Sequence, residues 1–350
     1  MKDSLKVLVL TSQTGIWRAQ LLRSIEADRD ADVVDDVGPA QAVASIRRRR
    51  PDVIGLDMAD LAADGVAPAL VREILSVGPT PILLIVPAGQ RRELSMAAVV
   101  AGAVEVMNVP AHWNIATGAE LRKRLHALSR LSPPRHRIRR VPTVEQNGQG
   151  GGGPMSLRHR SAERVVGLAA STGGPSALAA LLAGLDGLDL PVVVVQHLQS
   201  GFVDGFLSWM QRESALPVEL AVDGAPLLPG VVLVGPPGLH VLIGSGHRLA
   251  LRDEPVTLHR PSADVLFHSM AERCGCGGIG VVLTGMGDDG AAGLLALRKS
   301  GGTTIAQDAE TSAVYGMPRA ARDNGAAADV LPLDEIPAAV LRAAGVEAAP

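Results

Sequence analysis

Ser171, His197 and a carboxylate of the pair Asp288-Asp289 are the residues of this 350-residue chain whose types and settings point to one chemistry. A serine hydroxyl is a weak nucleophile until a base takes its proton. An imidazole is a base of suitable strength near neutral pH, and a carboxylate both orients the imidazole and stabilises the imidazolium that forms. The three must converge, and each stands where an apolar run stops. Ser171 follows the run VVGLAA and is itself followed by Thr172, Gly173, Gly174 and Pro175. His197 closes residues 191–197 (PVVVVQH). Asp288 and Asp289 lie in the loop MGDDG, which begins at Met286 behind residues 279–285 (IGVVLTG). Short, wholly apolar runs are the signature of strands buried on both faces of a parallel sheet. The carboxyl ends of such strands line one crevice. The pattern predicts a Ser–His–Asp relay for acyl transfer, with backbone N–H groups near the helix start at Pro175 facing an oxyanion. The plainer reading of Ser171 and Thr172 is that they cap that helix.

Two other readings compete. Residues 285–290 (GMGDDG) fit the glycine pattern of a dinucleotide-binding turn, and Asp308 follows about 20 residues later. An NAD-dependent oxidoreductase would, however, set Asp288 and Asp289 against a pyrophosphate and leave Ser171 and His197 unused. A non-catalytic signalling adaptor on a receptor array would have no need of the relay. Among the remaining histidines, His240 either lines the crevice or is exposed, and His259 and His268 flank a helix start at which Ser262 reads as a cap.

These residues need a scaffold. Strands near 165–170, 191–197, 231–235, 279–285 and 303–307 alternate with helical patterns near 175–184, 202–213, 262–273, 290–300 and 334–344. A short β excursion falls around 240–260. Before them, residues 5–10, 32–37, 52–57, 81–86 and 104–109 read as five strands with five helices between and after. The fold class is therefore α/β, with two doubly wound domains: residues 1–130, and residues 164–350 with a parallel sheet. Residues 131–163, rich in Pro, Arg and Gly, read as a flexible linker.

Residues 5–130 resemble a response-regulator receiver, a (βα)5 domain, with Asp57 of PDVIGLD at the phosphoacceptor position. The acidic pair that holds Mg²⁺ in receivers is replaced by Thr11 and Ser12. Val86 stands for the usual Ser or Thr, and Val109 for the Lys before the proline. Phosphoryl transfer needs those charges, so the receiver is expected to be degenerate. Residues 164–345 are similar to the chemotaxis protein-glutamate methylesterases, the CheB family. The likeness rests on GLAASTGGP, VVQHL, VGPPGLH, HRPSADVLF, VLTGMGDDGAAG and VYGMPRA, in that order. The resemblance implies Ser171 as nucleophile, His197 as general base and Asp289 as orienting carboxylate. It puts Met286 N–H in the oxyanion hole and Thr172 beside the nucleophile. Asp288 replaces the family's usual Asn. The implied reaction is hydrolysis of glutamate 5-methyl esters, with glutamine deamidation. The implied partners are cytoplasmic regions of methyl-accepting chemoreceptors and a histidine kinase or another signalling protein.

Composition sets the outer limits. Aromatic residues make up 2% of the chain and the net charge is −3, which argues against a nucleic-acid partner. Cys274 and Cys276 are the only cysteines, one residue apart and unsuited to a mutual bridge. No cofactor, no metal and no membrane insertion are expected, and the N-terminus reads as a first strand, giving a cytoplasmic protein.

Overall fold

The structure, a computed structural model, describes residues 4–11, 16–59, 66–78, 80–87, 98–99, 101, 103–110, 113–129, 164–198 and 202–346. The expected linker at 131–163, Ser12 and most of the helix expected near 90–101 lie outside these residues.

Among the described residues the first unit holds β1 (Leu5–Leu10), β2 (Ala31–Val37), β3 (Val53–Asp57), β4 (Ile82–Pro87) and β5 (Glu105–Val109). They form a parallel sheet in the order β2-β1-β3-β4-β5, a doubly wound arrangement. Leu8, Leu10, Ile54 and Leu56 pack on one face with Val71 and Ile74 of the helix Val66–Val77. Val7, Val9, Leu83 and Ile85 pack on the other with Leu121 and Leu125 of the helix Ile115–Ser129. Burial on both faces is why these strands read as continuous apolar runs.

The second unit is built on β6 (Val165–Ala170), β7 (Val192–Gln196), β8 (Val218–Leu220), β9 (Val232–Val234), β12 (Gly278–Val282), β13 (Thr303–Gln307) and β14 (Asp329–Leu331). All are parallel, in the order β14-β13-β12-β6-β7-β9-β8. The chain leaves β6 toward β7 on one side and later returns to β12 on the other. The carboxyl ends of β6, β7 and β12 therefore meet at a topological switch point. The expected excursion is an antiparallel ribbon of β10 (His240–Ile243) and β11 (Leu249–Arg252). It is tied to the helix Ala263–Arg273 by Ile243 N–H donating to the buried Ser269 hydroxyl, 2.9 Å. The sequence reading gave this sheet five strands and missed the edge strands β8 and β14. Each is three residues long and largely exposed, so neither carries an apolar run. The short helix Met317–Asp323 was missed for the same reason of length.

The two units are in contact. One apolar cluster runs from Leu56 and Val86 to Leu168 and Phe202.

Candidate active site

Ser171 leaves β6 into a turn held from three sides. Its N–H donates to Thr284 O (3.0 Å), Gly174 N–H donates to its carbonyl (2.8 Å), and Gln196 Nε2 donates to the same carbonyl (2.9 Å). Gly173 has φ +75°, and a Cβ there would lie 2.4 Å from the Ala313 side chain, so the turn demands glycine. The helix Gly174–Ala183 then starts with Pro175 in its first turn, as read from the sequence, but no side chain caps it. The capping role considered for Ser171 and Thr172 is not what the structure holds. Gln196, buried at the end of β7, also donates to His197 O at 3.2 Å, so one amide group fixes the backbone of both residues.

His197 meets Asp289 directly. Its Nε2 donates to Asp289 Oδ2 at 2.8 Å, with the side chains 9% and 12% exposed. Nδ1 is buried and has no hydrogen-bond partner among the described residues. This leaves Nδ1 as the nitrogen able to take a proton. Asp289 collects further donors: Ser262 Oγ to Oδ1 (2.7 Å), Ala263 N–H to Oδ2 (2.7 Å) and Asp264 N–H to Oδ1 (3.1 Å). Burial alone would raise its pKa. The donors His197, Ser262, Ala263 and Asp264 outweigh burial and hold it at about 2. Ser262 is thus not a side-chain cap as expected; it is the N-cap residue by position, with its hydroxyl given to Asp289. The Asp289 carboxylate caps that helix instead, accepting its first N–H groups.

Asp288 is exposed and takes no part in the hydrogen bonds described for Asp289. The dinucleotide reading finds no support in the loop: Asp289 is committed to a helix N-terminus, and Asp308 Oδ1 accepts from Thr311 N–H and Oγ at 2.9 and 2.6 Å.

Ser171, Thr172, Gln196 and His197 line a cavity of about 320 Å³, with His259 and Arg260 on one side. The His259 ring lies flat on the His197 ring, centroids 4.1 Å apart and planes within 12°. The other wall belongs to the first unit: Val99, Val104, Glu105, Val106 and Arg124. Gly173 N–H donates across to Val104 O at 3.2 Å. Burial raises the Glu105 carboxyl, opposed by Arg124 and the Thr172 hydroxyl; Arg124 lies 2.6 Å away. Met286 is half-buried and borders a different cleft, with Leu5, Asp52 and Lys123 of the first unit. The preceding Gly285 packs on Ser171, since a Cβ there would lie 2.8 Å from Ser171 Cβ.

His240 is neither exposed nor part of the cavity lining. It is fully buried, donating from Nε2 to Pro255 O (2.8 Å) and accepting Ser262 N–H at Nδ1 (3.1 Å). His268 is bonded to Asp264 O at 2.7 Å, away from the cavity. Sequence reasoning missed Gln196 and the stacking of His259. A lone amide inside an all-apolar strand is a legible signal for Gln196; nothing in the sequence marks the stack.

Asp57 ends β3 with 3% exposure. Its Oδ2 accepts from the Thr11 hydroxyl (2.8 Å) and Trp17 Nε1 (3.0 Å), and its Oδ1 from Ala59 N–H (2.9 Å). No cluster of His, Cys, Asp and Glu able to hold a metal occurs among the described residues, and no described helix is long and apolar enough to cross a membrane.

Comparison with known proteins gives a consistent result. The profile of the family described as CheB methylesterase matches residues 166–340. Protein-glutamate methylesterase/protein-glutamine glutaminase 5 of Anaeromyxobacter dehalogenans is 38% identical over 355 aligned positions, covering 96% of both chains. Protein-glutamate methylesterase/protein-glutamine glutaminase 2 of Pseudomonas aeruginosa is 37% identical, again over 96% of both. The crystal structure of the Thermotoga maritima CheB methylesterase catalytic domain is 33% identical with a TM-score of 0.50. It covers 52% of this chain and 98% of that domain.

Proposed function

This chain belongs to the CheB methylesterase family, and we propose that Ser171, His197 and Asp289 carry its reaction. The activity is that of a protein-glutamate methylesterase and protein-glutamine glutaminase, a carboxylic ester hydrolase. The observation that carries the residue assignment is the 2.8 Å His197–Asp289 bond beside the cavity that Ser171 and His197 share.

In this reading His197 Nδ1 removes the Ser171 proton as Oγ attacks the carbonyl carbon of a glutamate 5-methyl ester. Asp289 holds Nε2–H and stabilises the imidazolium. The tetrahedral oxyanion meets backbone N–H groups; those of Thr172 and Met286 have no acceptor among the described residues and are the proposed donors. His197 returns its proton to the leaving methoxide, and methanol departs. Water, deprotonated by His197, then cleaves the acyl-enzyme to a glutamate carboxylate. A glutamine amide follows the same path with ammonia as leaving group.

The substrates we propose are glutamate side chains on the cytoplasmic regions of chemoreceptors. The test is methanol release from a methyl-esterified receptor fragment by the full chain and by Ser171→Ala. Release that disappears in Ser171→Ala supports the assignment. Equal release from both sinks it, and no release from either favours an adaptor.

A further inference from the structure

We propose that His259 is a positioning residue that fixes the plane of the His197 ring by face-to-face stacking. It thereby aims Nδ1 at Ser171 while Nε2 stays on Asp289. The proposal rests on His197 being the base for Ser171.

One hydrogen bond does not fix a ring. With Cβ held by the backbone and Nε2 held by Asp289, the imidazole of His197 still tilts about the line joining those points. Nδ1 lies off that line and swings with the tilt. A second ring 4.1 Å away and parallel within 12° removes this freedom, because any tilt drives one edge of His197 into it. The stack also acts on charge. When His197 becomes an imidazolium, a neutral aromatic face against it is attractive. Burial lowers the His259 pKa, and the neighbouring His197 and Lys123 lower it further, against Asp289 and Asp288. These effects favour the neutral form of His259 beside His197.

His259 is itself held. Its carbonyl accepts the Thr257 hydroxyl at 2.6 Å. Buried His240 gathers the same segment by bonding Pro255 O and Ser262 N–H. Residues 255–262 thus present His259 to the face of His197 and Ser262 to Asp289, so one loop orients both members of the pair. No described hydrogen bond joins a His259 nitrogen to Ser171, His197 or Asp289, which separates it from a relay role.

The test is covalent labelling of Ser171 in the full chain by a small fluorophosphonate, with saturation kinetics to separate probe affinity from the bond-forming rate. Wild type is compared with His259→Ala, His259→Leu, His259→Phe and His197→Ala. We expect the bond-forming rate to fall about tenfold in the Ala and Leu variants with affinity within about twofold. The Phe variant, which keeps an aromatic face and no ring nitrogen, should stay within about threefold of wild type. Full rate in His259→Ala, a loss in His259→Phe as deep as in His259→Leu, or a loss confined to affinity each overturns the proposal. If His197→Ala labels as fast as wild type, the assignment of the base fails and this proposal fails with it.

Discussion

Asp289, a member of the proposed relay, links the geometry of the site to the stability of the chain. Its pKa of about 2 in the folded chain lies below the ordinary 3.8. The folded state therefore binds the proton less tightly than the unfolded state. The stabilisation, about 2 kcal/mol, is fully present above pH ~4 and is lost as pH falls toward 2. Asp289→Asn should lower stability at neutral pH and flatten that acid-side loss in urea melts recorded against pH. It should also reduce turnover by about 10³–10⁴, because the amide no longer supports the imidazolium. Ser262→Ala removes a donor to Oδ1 and should raise the Asp289 pKa, seen as acid unfolding at higher pH, with a cost of about 1–3 kcal/mol. Gln196→Met keeps the volume but releases the carbonyls of Ser171 and His197. It should reduce turnover far more than it changes the melting temperature.

At the scale of elements, the proposed relay depends on loops that approach closely. The turn after β6 and the loop after β12 meet at Gly285, whose Cβ position lies 2.3 Å from Met317 Sδ and 2.8 Å from Ser171 Cβ. Gly285→Ala must displace one of them. It should cost about 1–3 kcal/mol in a denaturant melt and slow Ser171 labelling. The helix Ala263–Arg273 takes its cap from the loop after β12, so helix start and carboxylate hold each other. In the first unit, Thr11 and Trp17 donate to the carboxylate of Asp57 at the end of β3. Asp57 is a buried hydrogen-bond acceptor there. A small phosphodonor with Mg²⁺ should leave it unmodified by intact mass, and Asp57→Ala should destabilise the first unit while leaving the response to that donor unchanged. Stoichiometric phosphorylation of Asp57 would reverse this reading.

For the whole molecule, the relevant fact is that the first unit forms one wall of the cavity. Glu105 and Arg124 are paired at 2.6 Å against Thr172, and Val104 O takes the Gly173 N–H. This wall stands directly against the cavity that Ser171 lines. Residues 164–350 alone should release methanol faster than the full chain. Arg124→Ala should move the full chain the same way, because Glu105 is then left buried without its cation. Equal rates from the truncated and full chains would show that the wall opens freely.

Legible in the sequence were the α/β class, the strands that are buried on both faces, and Ser171, His197 and a carboxylate of the loop after β12 as a candidate relay, with Asp289 singled out through the family resemblance. The reason is that burial on both faces leaves an unbroken apolar run, and a polar residue where such a run ends stands out. The sequence reading failed at β8 and β14, because short edge strands are half-solvated and carry no such pattern. Only the tertiary structure decided which histidine nitrogen faces Asp289, that Ser262 serves the carboxylate rather than its own helix, and that His240 is a buried clamp. The same holds for His259 on the face of His197 and for the first unit as the far wall of the cavity. Those are contacts between segments tens to hundreds of residues apart. Local propensity encodes the segments; their side-chain partners exist only once the two sheets have packed.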